Sequence, residues 1–481
     1  MITLNAKADG YRGIWYMNQP TGDEYVFKYS GGLGTYCAKH SPFAVYCPAV
    51  EKTFFCYGGT TANSHLGYTA EDLREGRQLE RPRPGFLLHM VSYFDHGSGL
   101  VPRPTILLDK GTADAHDNPV LAVDREGHLW IFSTSHGRSR PSFIHRSLRP
   151  YDIDAFQPVA ARWQNPGGES TPVDNFSYLQ MATVPDGGFV GCFTRYRDPA
   201  IRTLFTLRSR DGMVWEQRRL AAIEEGHYQI STFQHGRLAT AFNMHPAGKG
   251  LNWRTNLYYM ASDDLGETWH SADGRRLELP LTAAHNPALV HDYQAEGRNV
   301  YLKDIQLDDA GHPVILYLTS GGYRPGPEDG PRIWHTARWT GSDWEIRPVF
   351  QSDSNYDMGS LYLEAPDRWR IIAPALPGPQ PYNPGGEVGM WLSHDQGRSW
   401  TLARQITHHS PYNHTYVRRP LQAHPGFYAL WADGHGRQPS PSRLYFCDQD
   451  GQAYRLPPMM DDAVAMPLPL PPEDAALPPP R

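Results

Sequence analysis

The sequence predicts an all-β chain made of repeated four-stranded antiparallel blades. Three observations predict it: a turn motif that recurs, a hairpin motif that recurs between its copies, and a composition rich in turn formers and aromatics. The turn motif, Ser-x-Asp-(x)-Gly-x-x-Trp, occurs at Ser209-Arg-Asp211-Gly212-Met-Val-Trp215, Ser262-Asp-Asp264-Leu-Gly266-Glu-Thr-Trp269 and Ser393-His-Asp395-Gln-Gly397-Arg-Ser-Trp400. The last two match the sialidase-type Asp box, and the first is one residue shorter. An Asp that accepts backbone N–H bonds, a Gly at positive φ and a Trp that packs onto the strands make a hairpin turn. Three copies signal a repeat architecture, where one alone would not.

The second motif is strand, Asp-bearing turn with Gly, strand. It is seen at Leu121-AVDREGHLWIFSTS, Ala182-TVPDGGFVGCFTRY and Ile305-QLDDAGHPVILYLTS. The alternation in His128-Leu-Trp130-Ile-Phe132 has the period of two of a half-buried strand. One such hairpin plus a Trp-bearing hairpin makes a blade. At roughly 50–70 residues per blade, the chain accommodates about seven, a seven-bladed β-propeller. Thr69–Gln78 is the one short stretch that suits a helix. No internal linker interrupts the pattern, so residues 1–460 read as one propeller domain. Residues 461–481 read as a Pro-rich tail, its last part PLPLPPEDAALPPPR extended or disordered.

Composition narrows the function. The 45 Gly and 43 Pro, with 13 Trp and 27 Tyr, favour short strands and many turns over helices. A net charge of −6 without a basic run argues against a nucleic-acid partner. No apolar stretch reaches the ~20 residues of a membrane span, which argues against a membrane partner. The start, MITLNAKADGYRG, lacks the charged and apolar regions of a signal peptide. The expectation is a cytoplasmic protein, or a periplasmic or secreted one whose leader has been removed. The five cysteines contain no CxxC pair, so neither a cysteine zinc site nor a disulfide framework is expected; Cys37, Cys47 and Cys56 read as small core residues.

Four clusters carry candidate chemistry. In Asp114-Ala-His116-Asp117-Asn118-Pro119, just before a strand, His116 suits a general base oriented by Asp114 or Asp117; an Asx turn with a surface histidine would look the same. Ser133-Thr-Ser-His136-Gly-Arg138-Ser-Arg140 follows 20 residues later, so one hairpin can bring both histidines to one face, with arginines for an anionic ligand. Tyr178 and the run Arg195-Tyr-Arg197-Asp198 would lie on neighbouring strands and offer an acid and a carboxylate partner. His227-Tyr228 and Asn252-Trp253-Arg254 offer a flat aromatic and polar groups for a sugar, or equally core aromatics. His, Tyr and Arg together suit β-elimination on a uronic acid. Arg neutralises the carboxylate that acidifies carbon 5, a base takes the proton there, and an acid protonates the leaving oxygen on carbon 4. No cofactor is required. The paired carboxylates of ordinary glycosidases are not apparent in the sequence.

Tyr11-Arg-Gly-Ile-Trp15, Lys28-Tyr-Ser-Gly-Gly-Leu-Gly-Thr-Tyr36-Cys-Ala-Lys-His40, Val101-Pro-Arg-Pro104, His116-Asp-Asn-Pro119 and Gly137-Arg-Ser-Arg-Pro141 resemble a set of seven-bladed propeller enzymes. That set holds ulvan lyases, L-rhamnose-α-1,4-D-glucuronate lyases and related α-L-rhamnosidases acting on gum arabic side chains. Tyr16-Met-Asn-Gln-Pro20 and Gly378-Pro-Gln-Pro-Tyr-Asn-Pro-Gly-Gly386 resemble the rhamnose–glucuronate branch most. The resemblance covers the chain from about Gly10 to Pro457. It implies a lyase cutting the rhamnose-to-glucuronate bond of a uronic-acid polysaccharide, with His116, Tyr178 and Arg195 as catalytic residues and His136 as a second histidine. Asn118, Arg138, Arg197, His227, Tyr228, Trp253 and Arg254 would bind substrate. The alternative it implies is a hydrolytic rhamnosidase using His40 on the opposite face. A third reading is a glycan-binding propeller without catalysis. The resemblance also allows a structural calcium or zinc ion, with Asp353-Ser-Asn355-Tyr-Asp357 as a candidate oxygen cluster or a plain turn.

Overall fold

The computed structural model describes residues 3–33, 39–61, 87–112, 114–137, 140–165 and 167–471. Arg138, Cys37 and the segment Thr69–Gln78 lie outside them. Seven antiparallel sheets follow one another along the chain, as the turn repeats require. Their innermost strands are Ala44–Cys47, Pro119–Val123, Ser177–Thr183, Gln229–Gln234, Asn299–Leu307, Ser360–Ala365 and Asn413–Arg418. From each, the chain runs outward through three more strands. In blade 2 these are Leu129–Ser133, Phe143–Ser147 and Phe156–Pro158. The expected seven-bladed propeller is therefore the fold.

Three blades exceed four strands. Ala6–Lys7 pairs with Thr105–Asp109 at the rim of blade 1. In blade 3, Arg162–Gln164 runs parallel to Val214–Ala221 and carries Ser170–Pro172 outside it. Leu468–Pro469 adds to Ala453–Arg455 of blade 7, and Val464–Ala465 pairs with Val101–Pro102. The described start of the Pro-rich segment thus extends the sheet of blade 7 and forms a separate two-stranded sheet with Val101–Pro102.

The Asp boxes close the turns between third and fourth strands. In the second box Gly266, at φ +93°, receives the Trp269 Nε1–H on its carbonyl at 3.2 Å. The Asp264 carboxylate accepts the Thr268 N–H at 2.8 Å, and the Ser262 hydroxyl donates to the same oxygen. The shorter box makes the equivalent bonds, with Trp215 donating to the Gly212 carbonyl at 2.8 Å. Each Trp then fills an inter-blade space; Trp215, for example, meets Phe132 edge-on with ring centroids 5.8 Å apart. Trp269 is fully buried, so Trp269→Ala is expected to cost about 3–5 kcal/mol. Urea unfolding followed by fluorescence would show the lowered midpoint.

The hairpin logic also divides the two faces. The Asp boxes lie where third strands end. The histidine and tyrosine clusters lie at the other end, where first and third strands begin and second strands finish. Cys47, Cys56, Cys192 and Cys447 are buried free thiols, consistent with the core role expected of Cys47 and Cys56. No helix among the described residues is long and apolar enough to cross a membrane.

Candidate active site

Blade 2 places the two histidines. A single 3₁₀ turn, Ala115–Asp117, precedes its inner strand, and Asp114 caps that turn by accepting the His116 N–H at 3.0 Å. His136 follows the second strand, as the 20-residue spacing requires. The rings stack with centroids 4.1 Å apart and planes 12° from parallel. One carboxylate holds both: Asp114 Oδ1 lies 2.5 Å from His116 Nδ1, and Oδ2 lies 2.7 Å from His136 Nδ1. Each Nδ1 donates to the carboxylate, which in a neutral ring leaves Nε2 with the lone pair. Asp117 is the anchor beneath. It is fully buried, accepts two bonds from Arg140 at 2.8 Å and receives the His136 N–H at 2.8 Å.

Two opposing effects set the charges. Burial pushes the Asp114 pKa up, but His116 and His136 outweigh it and hold the carboxyl well below its usual range. Burial, reinforced by His116, lowers the His136 pKa. His136 is therefore held toward its neutral form, stacked on His116 over a shared carboxylate.

Blade 3 supplies Tyr178 and Tyr196. The strand Ser177–Thr183 shifts register between Ser177 and Gln180, and Tyr178 there has φ +50°. This bulge re-aims the side chain, bringing the Tyr178 ring to 6.1 Å from His116 and 6.4 Å from His136. Tyr178 is buried, and its hydroxyl lies 2.6 Å from that of partly exposed Tyr196.

The arginine of this group is Arg202. It stands directly opposite Tyr196 in the sheet. Its guanidinium lies over the rings of Tyr196 at 5.5 Å and Tyr228 at 5.2 Å. The residue is 2% exposed, yet Nε and Nη1 have no acceptor among the described residues. A buried guanidinium with open donors is costly unless an anion completes it. Beyond it, Tyr228 touches Tyr178 edge-on at 5.3 Å and has Arg254 at 5.0 Å.

A family model for BNR repeat-containing proteins matches residues 103–352, just over half of the 481-residue chain and the span that holds this group. The chain belongs to the BNR repeat-containing family. This BNR-repeat chain is 21% identical to an ulvan lyase, PL25, of Pseudoalteromonas sp. (strain PLSV), over 61% of the chain and 63% of that relative. The matched region thus spans less than two thirds of that protein. It is 20% identical to an ulvan lyase of Alteromonas sp. (strain LOR), over 71% of the chain and 73% of the relative. Its fold superposes on a solved PL25 ulvan lyase with a TM-score of 0.66 at 16% identity, covering 92% of this chain and 96% of the other.

Other expected residues of the BNR-repeat chain sit elsewhere. Arg195 points away from Tyr196, over Trp163 at 5.8 Å and Phe205 at 5.5 Å, with Asp198 at 3.9 Å. Alternation along the strand is the reason. Arg197 is exposed on the following turn. Asn118 is buried and donates to the Leu33 carbonyl at 2.7 Å. His227 is fully buried and locked between the Ile223 N–H at 2.9 Å and the Asn243 carbonyl at 2.8 Å. Both Asn118 and His227 hold backbone in place. Trp253 is half-buried, and its carbonyl lies 2.9 Å from His245 Nδ1. Arg254 is buried and links Tyr228 to Tyr301, with its guanidinium 5.0 Å from both ring centroids.

His40 is not on an opposite face. Ser41 bridges the inner strand of blade 3, where its N–H reaches the Leu179 carbonyl at 3.1 Å, and so His40 stacks on Tyr178 at 6.2 Å. It is fully buried, with Nε2 3.1 Å from the Thr134 hydroxyl. Burial, then His116 and His136, hold its pKa well below the ordinary value.

Both metal candidates keep part of their donor set engaged within the protein, while Asn355 Oδ1 and Asp357 Oδ2 of the first are buried without a hydrogen-bond partner among the described residues. Asp353 Oδ2 accepts the Tyr382 N–H and Asp357 Oδ1 accepts the Gly385 N–H. Buried Lys303 donates to the Asn355 carbonyl at 2.8 Å and places an amine beside Asp357. The second group, Asp114, His116 and His136, spends its nearest donor atoms on its own bonds and already holds the Arg140 guanidinium at 2.9 Å.

Sequence reasoning missed Arg202 and Tyr196. The pairing of Tyr196 with Arg202 across a turn was the available signal for both.

Proposed function

We propose that the chain is a polysaccharide lyase that cuts the L-rhamnose-α-1,4-D-glucuronate bond by β-elimination. The single observation that carries this is Arg202, a buried guanidinium with two open donors beside a histidine pair and a tyrosine. A uronate carboxylate satisfies those donors, and its neutralisation acidifies the proton on carbon 5. The Nε2 of His116 then takes that proton. Tyr178 gives its own to oxygen 4, the carbon–oxygen bond breaks, and a double bond forms between carbons 4 and 5. In D-glucuronate the proton and the leaving oxygen lie on the same side of the ring. A histidine and a tyrosine 6.1 Å apart between centroids suit that geometry. His136 shares the Asp114 carboxylate and keeps His116 aligned. Tyr228 and Arg254, both buried, pack behind this group. No cofactor enters these steps.

The relatives support the reading. Two are named ulvan lyases, and a structural neighbour was solved bound to -[GlcA(1-4)Rha3S]-. Incubation with ulvan and, separately, with gum arabic is expected to raise absorbance in the unsaturated-uronate band with one of them, unchanged by EDTA. Free rhamnose without that absorbance would make the protein a hydrolase and return attention to His40. Binding without either product would make it a lectin.

A further inference from the structure

The elimination just described leaves Tyr178 as an oxyanion, and Tyr178 is 2% exposed. Resting on that reading, we infer that Tyr196 is the relay that returns a proton to Tyr178 after each turnover. Three observations meet here. The two hydroxyls are 2.6 Å apart, a short hydrogen bond along which a proton can pass. Tyr196 is partly exposed where Tyr178 is buried, so of the two rings it lies nearer to solvent. The Arg202 guanidinium lies over the Tyr196 ring at 5.5 Å, where it stabilises negative charge that moves onto that phenol.

The protons balance. Carbon 5 gives its proton to a histidine Nε2, and oxygen 4 takes one from Tyr178. The Tyr196 hydroxyl then reprotonates Tyr178, and solvent water reprotonates Tyr196. The imidazolium returns its proton to water. Over a cycle no proton is gained or lost, and both tyrosines end neutral. Tyr196 acts through Tyr178 and touches no reacting atom of the sugar.

The test separates the first turnover from the later ones. The substrate is an oligosaccharide containing one rhamnose-to-glucuronate bond, prepared from whichever polymer the wild-type protein cuts. With enzyme in excess, Tyr196→Phe is expected to form unsaturated product within about twofold of the wild-type rate, because Tyr178 starts protonated. With substrate in excess, a burst of about one product per enzyme is expected, followed by a steady rate lower by about tenfold or more. Tyr196→Gln, which still hydrogen-bonds Tyr178 but carries no acidic proton, is expected to do the same and serves if the Phe variant does not fold. A parallel fall in both regimes would overturn the relay and make Tyr196 the direct donor or a structural support. So would an unchanged steady rate. If the wild-type protein itself forms no unsaturated product from either polymer, it is the elimination reading that falls.

Discussion

Arg202→Met is expected to lower kcat/KM on the uronate polymer by about 10²–10³-fold, the usual worth of one charge-stabilising donor in a buried site. Met keeps the unbranched apolar stem and loses the guanidinium, so the charge over Tyr196 and Tyr228 goes while the stem still packs. Circular dichroism and the unfolding midpoint are expected to hold, which places the loss in chemistry. The companion variant Arg195→Met is expected to change kcat/KM little, because its guanidinium lies between Trp163 and Phe205 on the other side of the strand. The pair of variants decides between the two arginines. If Arg195→Met lost activity and Arg202→Met kept it, the carboxylate site built here would be wrong.

Asp114→Asn is the second large effect. Its carboxylate fixes both imidazoles through Nδ1, so an amide in its place lets each ring turn or change tautomer. A fall of about 10²–10⁴ in kcat/KM is expected, the range of a correctly presented general base. The pH profile gives a separate readout. The His136 pKa is already lowered, by burial first and by His116 next, while Asp114 opposes both. A His136 whose folded pKa is lowered stays neutral through the ordinary histidine range, and it gains a charge beside the base His116 only as pH falls through that lowered value. Removing the carboxylate that favours the protonated ring moves the acid limb lower still. The variant is thus expected to have a reduced plateau and an acid limb at lower pH than the wild-type protein. An unmoved limb would mean that another group sets it.

How far the sequence carried the site can be argued from single residues. His116 and His136 are 20 apart, and one antiparallel hairpin returns the chain to its starting end. Their meeting was therefore legible from turn signals and the period-two pattern alone. Tyr178 was legible as a residue near them, since the next inner strand lies beside theirs. Its aim was not, because a bulge with φ +50° re-directs it. Arg195 and Arg202 were separable only by knowing which residue faces Tyr196 across the turn, and the register pairs Tyr196 with Arg202. His40 was misplaced because its position depends on Ser41 pairing with Gln180 in blade 3, a contact between segments 139 residues apart.

The sequence by itself determined the seven blades, the Asp-box turns and the pairing of the two histidines. All three follow from local rules: alternation, turn chemistry and hairpin return act within a few tens of residues and leave their periods in the chain. The tertiary structure alone decided which arginine keeps two guanidinium nitrogens without an acceptor among the described residues, that two tyrosine hydroxyls meet, and that His40 joins the same group. These depend on strand register, on one bulge and on how the blades close around their axis. Such contacts form between distant segments, where packing selects a neighbour and no local pattern records the choice.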